Sequence, residues 1–203
     1  MQDMGDEVSA VEALRRWAHW PPPSEMTVAE LLMYGTLGIG ALDEAGDELV
    51  LIDRQAVRVR TDGTASPADG TVWAPFAVTS TFSPDLAIPV PCAGSRAALE
   101  ELIDLALPPG DFVVAVHATG RFGRVCTGVG AVQTTEHRTT TGSLVGFRSP
   151  RGSGAPGADH HLVFLDTAQR HGGSLLEFDD FSGRVELGFS TAARLSTGPR
   201  TEP

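Results

Sequence analysis

Two runs in the second half of the chain decide its fold: Gly142-Ser-Leu-Val-Gly-Phe-Arg-Ser-Pro150 and His161-Leu-Val-Phe-Leu165. Both are short and largely apolar, and turn-forming residues separate them, which predicts β-strands. Successive side chains of a strand point to opposite faces, so His161 and Val163 share one face. A third run, Gly172-Gly-Ser174, follows closely. We expect the stretch from Gly142 to Ser174 to hold the functional site.

Outward from this stretch, the chain alternates a few helices with many strands. A capping box at Thr27 and Glu30 begins a helix over Val28–Tyr34, and another at Ser9 begins an earlier helix. Apolar residues spaced i, i+3, i+4 and i+7 predict a helix over Ser95–Leu107. The fold class is therefore α+β, with mixed sheets flanked by a few helices. Further strands are predicted at 48–53, 56–60, 72–81, 112–118, 124–132, 174–178 and 185–189.

The length of 203 residues fits one domain made of two intimately packed sub-domains, approximately 1–110 and 111–195. Net charge is −11, which argues against binding to nucleic acid or to an anionic membrane surface. All basic residues are arginine, so lysine Schiff-base chemistry is excluded. The two cysteines form no CxxC motif, and the acidic N-terminus has no signal-peptide pattern. We expect a cytoplasmic protein.

Six segments carry further motifs. They are Thr27-Val-Ala-Glu-Leu-Leu-Met-Tyr-Gly-Thr-Leu-Gly-Ile-Gly40, Gly46-Asp-Glu-Leu-Val-Leu-Ile-Asp53, Ala74-Pro-Phe-Ala-Val-Thr79, Gly142-Ser-Leu-Val-Gly-Phe-Arg-Ser-Pro150, His161-Leu-Val-Phe-Leu165 and Gly172-Gly-Ser174. In this order and spacing, the segments resemble the alpha-acetolactate decarboxylase family over nearly the whole chain. The resemblance implies an acetolactate-decarboxylase-like architecture of mixed sheets, or half-barrels, with a few helices.

The resemblance also implies a zinc ion held by three histidines, and here this chain departs from the family. His161 stands at the first ligand position, but Val163 and Ser174 stand at the second and third. One imidazole falls short of the usual three protein ligands, so we expect no metal and no cofactor. His117 and His171, together with His161, are an alternative ligand set that only proximity would support. The short segment between Gln133 and Gly142 is expected to open the cavity to a larger substrate.

Three residues are the catalytic candidates. Arg148 is expected to bind a carboxylate or enolate, although a structural ion pair at a strand end is the alternative. Glu48 is a candidate acid or base, or else an exposed charge at a strand start. His161 is a candidate proton carrier, or else a core histidine satisfied by a backbone carbonyl. The residues expected to contact substrate are Val163, Ser174, His117 and Phe147.

These features predict a metal-independent enzyme that acts on a small carbonyl-, enol- or carboxylate-bearing molecule, with a polyketide-like compound as one candidate. The reaction would be a decarboxylation, an isomerisation or a ring closure, in specialised metabolism. One alternative is a zinc-dependent acetolactate decarboxylase with an altered ligand set. Another is a non-catalytic ligand-binding relative. A small molecule is the expected partner, and the family resemblance suggests a homodimer.

Overall fold

The computed structural model describes residues 26–42, 46–108, 113–129, 133–149, 160–190 and 194–195. The helices in this part of the chain are α1 (Val28–Tyr34) and α2 (Arg96–Ala106). The strands are β1 (Met26–Thr27), β2 (Leu37–Leu42), β3 (Asp47–Ile52), β4 (Gln55–Val59), β5 (Ala65–Pro67), β6 (Trp73–Ala74), β7 (Phe76–Ser80), β8 (Leu86–Ser95), β9 (Val113–Val129), β10 (Gln133–Arg148), β11 (His160–Asp166), β12 (Gly172–Ser190) and β13 (Arg194–Leu195).

Both helices begin where the sequence predicts. The Thr27 hydroxyl accepts a hydrogen bond from the Glu30 amide, and the Glu30 carboxylate accepts one from the Thr27 amide, which confirms the capping box. The Ser95 side chain caps α2 in the same way, through the Ala98 amide. The helix predicted from Ser9 lies outside the described residues. Among those that are described, no helix is both long and apolar enough to cross a membrane.

Five strands of the first half of the chain, together with β13, form an antiparallel six-stranded sheet in the order β13-β7-β2-β3-β4-β5. Strand β3 lies inside this sheet and is buried along its whole length. A two-residue turn, Asp53-Arg54, joins it to β4, and both residues have positive φ (50° and 63°). Such a turn matches the twist of the strands that it connects. The side chains of β3 therefore have fixed faces: Val50 and Ile52 on one, Leu49 and Leu51 on the other.

The other large sheet has five strands in the order β11-β10-β9-β12-β8. An extra pairing of β11 with β12 closes part of this sheet. Strands β9 and β12 contain 17 and 19 residues. Each was predicted as two shorter strands, and that prediction was wrong. The glycines in these strands mark places where neighbouring strands approach each other closely, not turns. A Cβ at Gly120, for example, would lie 2.3 Å from the Ser182 carbonyl oxygen.

Two hydrophobic layers use the two faces of this second sheet. One layer contains the rings of Phe122, Phe164, Phe178 and Phe181 and is covered by Leu99 and Ile103 of α2. The other packs against the six-stranded sheet and joins residues of both halves; its members include Ile39, Val50, Val78, Val145, Phe147 and Val163. We call this second layer the inter-sheet layer.

Sheet membership does not simply follow position along the chain. Strand β8 and helix α2 both precede residue 110, yet β8 pairs with β12 and α2 packs on the same sheet. Strand β13, near residue 195, returns to pair with β7 of the first sheet. The chain therefore changes sheets between β7 and β8, and its final described strand crosses back.

Candidate functional site

Strands β11 and β12 bring the three positions of interest onto one face. Val163 pairs directly with Ser174 across the two antiparallel strands. His161 lies two residues before Val163 and therefore shares its face. Val163 belongs to the inter-sheet layer, so all three side chains point toward the six-stranded sheet. The expectation that His161 and Val163 share a face agrees with this geometry, and the strand pairing adds Ser174 to that face.

Glu48 reaches the same place from the opposite sheet. It occupies β3 with the parity of Val50 and Ile52, so its side chain enters the inter-sheet layer. The Ser174 hydroxyl donates a hydrogen bond of 2.5 Å to Glu48 Oε1. Glu48 is 3% exposed and Ser174 is 1% exposed. Glu48 is therefore not the exposed charge at a strand start that was the alternative.

Burial changes the acidity of Glu48. Removal of the carboxylate from water raises its pKa from 4.5 to about 7, and the hydrogen bonds from Ser174 only partly offset this. The second oxygen, Oε2, is buried without a hydrogen-bond partner among the described residues. A carboxyl group with a pKa near neutrality can both donate and accept a proton at physiological pH.

This pKa predicts a pH dependence of stability that belongs to Glu48. The Glu48 carboxyl holds its proton more tightly in the folded state than in the unfolded chain. Its contribution to the free energy of unfolding is therefore greatest at low pH and is lost as pH rises from 4.5 to about 7. We expect the free energy of unfolding of the parent to fall by about 3 kcal/mol across that pH range, and we expect no such fall in Glu48→Gln. Urea unfolding of both proteins at pH 5 and pH 8 measures it. Equal slopes against pH would contradict the buried, proton-binding carboxyl.

His161 is the other buried polar group of the site. It has no exposed surface, and neither ring nitrogen has a hydrogen-bond partner in the described part of the chain. The structure does not show the backbone-carbonyl contact that the alternative interpretation required. Burial, together with smaller effects of the neighbouring His160 and Arg96, lowers the pKa of His161 to about 4. The imidazole is therefore neutral at pH 7 and can donate or accept a hydrogen bond.

Apolar side chains form the walls around these polar groups. Phe147 pairs with His161 across β10 and β11, and Val145 pairs with Val163. Both are completely buried in the inter-sheet layer. Phe147 and Val163 were among the residues expected to contact substrate, whereas Val145 was not. Its signal was available, because Val145 has the same strand parity as Phe147.

Arg148 does not join this site, which corrects its expected role as a substrate anchor beside Glu48. It follows Phe147 directly and so points to the other face of the sheet. There its guanidinium forms an ion pair with Asp104 of α2, with Nε and Oδ1 3.1 Å apart. His160 Nε2 lies 3.4 Å from the same carboxylate oxygen. The alternative of an ion pair at a strand end describes the geometry of Arg148.

His117 lies directly opposite Val145 on the neighbouring strand and shares its face, but it is closer to the edge of the inter-sheet layer. It pairs with Val145 on one side and with Glu186 on the other. Its Nδ1 is 3.6 Å from a Glu186 carboxylate oxygen, and its ring meets Phe82 edge to face at 6.0 Å. Burial lowers its pKa, although the charges of Asp53 and Glu186 oppose the shift. One strand, β10, lies between His117 and Val163, so the two residues are two strand spacings apart, about 10 Å.

His171 lies at a different place again. Its Nδ1 is 3.2 Å from Asp166 Oδ2, and its ring lies 5.7 Å from that of His137. The alternative ligand set of His117, His161 and His171 is therefore not brought together. Within the described residues, no group of three or more His, Cys, Asp or Glu side chains is arranged to hold a metal ion.

The residues present thus do not fit the three-histidine zinc site that the family resemblance implies. Val163 offers no donor atom. Ser174 uses its hydroxyl hydrogen for Glu48, and His161 alone presents an imidazole. A site with fewer than three protein ligands lacks the usual coordination of zinc.

Comparison with known proteins identifies the family. A family model described as alpha-acetolactate decarboxylase matches residues 22–137. An alpha-acetolactate decarboxylase of Raoultella terrigena is 30% identical over 178 residues, which cover 80% of this chain and 69% of the relative. That of Methanosarcina mazei is 28% identical over 199 residues, which cover 89% of this chain and 67% of the relative.

Solved structures agree on the fold. The crystal structure of acetolactate decarboxylase from Bacillus subtilis subspecies spizizenii superposes with a TM-score of 0.74 at 24% identity, covering 83% of this chain and 80% of that one. A Staphylococcus aureus protein of unknown function, described as similar to alpha-acetolactate decarboxylase, gives 0.75 at 22% identity. The α+β class and the family resemblance are both confirmed, and this chain belongs to the alpha-acetolactate decarboxylase family.

Proposed function

We propose that the chain is a metal-independent lyase that acts on a small molecule in which an oxo or enol carbon is attached to the carbon that bears the carboxylate, as in a 3-oxo acid. The observation that carries the proposal is the 2.5 Å hydrogen bond between the buried side chains of Ser174 and Glu48. Ser174 lies on the same face of its sheet as His161. Glu48 has a pKa near 7 and an unpartnered Oε2, so it can exchange a proton with a bound molecule. The family relatives are named as decarboxylases, which supports this reaction class.

Three buried atoms without a hydrogen-bond partner among the described residues suggest where the substrate binds. Buried polar atoms are normally hydrogen-bonded, and an exception calls for a water molecule or a ligand. Glu48 Oε2 and the ring nitrogens of His161 are such exceptions. An oxo or enol oxygen between them would satisfy both groups. The apolar walls of Val145, Phe147 and Val163 suit the hydrocarbon part of such a molecule.

The proposed decarboxylation uses Glu48 as its acid. The bond between the carboxylate carbon and its neighbour breaks, and CO2 leaves. The electron pair forms an enol, and the oxo oxygen takes the Glu48 proton. The enol then becomes the ketone: its carbon takes a proton from solvent, and its hydroxyl returns one to Glu48. His161, neutral at pH 7, donates a hydrogen bond to the same oxygen.

A carboxylate substrate strengthens the assignment of Glu48 as the acid. Its negative charge next to Glu48 disfavours a second ionised carboxylate, so binding favours the protonated form. Isomerisation and ring closure of a related enol use the same proton transfer and differ only in which bond changes. The apolar walls, rather than a charged anchor, would then select the substrate.

Metal analysis together with an activity assay tests the proposal. The purified chain is treated with a chelator and assayed for CO2 release from alpha-acetolactate and from bulkier 3-oxo acids. We expect less than about 0.1 zinc per chain, and activity that zinc addition does not change. Activity that disappears with the chelator and returns with stoichiometric zinc would establish the zinc-dependent alternative. No turnover of any oxo acid, with tight binding of one, would favour the ligand-binding alternative.

A further inference from the structure

Strands β11 and β12 pair over a very short length at the site. Their register contains three pairs: Leu165 with Gly172, Phe164 with Gly173, and Val163 with Ser174. A continued register would place Leu162 opposite Leu175. Instead the ladder ends at Val163 and Ser174, and β12 has an irregularity just beyond, between Leu175 and Glu177. Two of the site positions therefore lie where the strands lose their mutual hydrogen bonds.

Arg96 occupies the opening between these diverging strands. Its Nη1 donates hydrogen bonds to the carbonyl oxygens of Leu175 and Leu176 in β12, the latter at 3.3 Å. Its Nη2 donates to the carbonyl oxygen of His160 in β11, at 3.1 Å. One guanidinium thus connects the residue before His161 with the residue after Ser174.

The side chain of Arg96 is itself held from behind the sheet. Arg96 is the first residue of α2, and its Nε donates to Glu100 Oε1 one helical turn later, at 2.6 Å. Helix α2 packs on the layer of phenylalanine rings, while His161 and Ser174 point to the opposite, inter-sheet layer. A cation at the N-terminus of a helix is electrostatically unfavourable, so its presence here indicates specific partners.

The chemistry of the guanidinium fits this position. It is planar, always charged and carries five donors in fixed directions, whereas an ammonium group presents a compact charge without such a fork. Three carbonyl oxygens from two strands need donors whose relative positions do not change. Hydrogen bonds that involve a charged donor are stronger than neutral ones. Arg96 therefore sets the separation of the strands that a ladder would otherwise set.

We propose that Arg96 is a positioning residue, which holds the His160 and Leu175 carbonyls together so that His161 and Ser174 meet Glu48 in the catalytic geometry. The proposal rests on the proposed function for its effect on rate, although the bridge between the strands stands on its own contacts. Arg96 touches no reacting atom. Its influence on the site passes through the backbone of β11 and β12.

The test compares Arg96→Met, Arg96→Lys and Arg96→Ala with the parent chain. We expect Arg96→Met to lower kcat for CO2 release about 10- to 100-fold with little change in KM, because misplaced catalytic groups slow the chemical step. Arg96→Lys should recover only part of the rate. Free guanidinium at low millimolar concentration should raise the kcat of Arg96→Ala and leave that of Arg96→Met unchanged. Arg184→Met is the matched control, because the Arg184 side chain is exposed and forms an ion pair with Glu186.

Hydrogen exchange distinguishes failure of the Arg96 positioning role from failure of the proposed function. Loss of Arg96 should speed amide exchange at 160–163 and 174–177, and not in the six-stranded sheet. An active parent whose kcat is unchanged in Arg96→Met would overturn the positioning role and leave the proposed function standing. A parent that turns over no oxo acid defeats the proposed function, and the exchange experiment then decides the bridge alone. Unchanged exchange in Arg96→Met would overturn the bridge as well.

Discussion

Glu48→Gln is expected to lower the rate of CO2 release by about a thousandfold, within the range that a lost general acid produces. Glutamine keeps the size of the side chain and an oxygen that can accept the Ser174 hydrogen bond, but it has no exchangeable acidic proton. The variant should remain folded and, above pH 7, should be more stable than the parent, because the buried charge is gone.

The neighbouring residue provides the control for this substitution. Asp47 is also buried, but it has the opposite strand parity and pairs with Arg58 instead of entering the inter-sheet layer. Asp47→Asn should destabilise the protein and leave kcat close to that of the parent. Steady-state rates between pH 5 and pH 9 provide the measurement. If Glu48→Gln retained the parental rate and its pH profile, Glu48 could not be the proton donor.

Val163→His combined with Ser174→His is expected to create a zinc site that the parent lacks. Val163 and Ser174 are a directly opposed pair, and His161 lies two residues from Val163 on the same face. Three imidazoles would therefore point to one region, the ligand number that zinc requires when a fourth position stays open. We expect zinc affinity to rise at least about a thousandfold relative to either single variant, each of which has two imidazoles. The larger side chains should cost about 1–3 kcal/mol in stability.

Calorimetric titration with zinc and metal analysis after dialysis measure this gain without reference to activity. The two single variants control for non-specific binding by histidine. Leu162→His with Ser174→His is the geometric control, because Leu162 points into the opposite layer and cannot join His161. If the double variant bound zinc no better than this control, the three positions would not converge as the register implies.

The sequence was sufficient for the local structure and for part of the site. A capping box located α1, the spacing of apolar residues located α2, and the alternation in His161–Leu165 placed His161 and Val163 on one face. The same rule also decides Arg148. Within Gly142–Pro150 it groups Arg148 with Leu144, away from Phe147, so the two could not line the same pocket. The expected role of Arg148 came from its place in a motif and overlooked its parity.

The contacts that complete the site could not be read from one sequence. Glu48 and Ser174 are separated by 126 positions, and no local pattern reports that their strands face each other. The carbonyl partners of Arg96 lie 64 to 80 positions from it along the chain. The continuous strands β9 and β12 were misread because a glycine at a strand crossing and a glycine in a turn look alike.

The long separation of Glu48 from Ser174 has a consequence for how the protein is made. Translation at about 5–20 residues per second leaves roughly 6 to 25 seconds between the two residues. If the first sheet forms during that time, Glu48 would lie on it before the partner sheet exists, and water would keep the carboxylate ionised. The charge discourages the bare apolar face from associating with other chains. The residue proposed to carry the proton would thus first serve as a solubilising group on the ribosome.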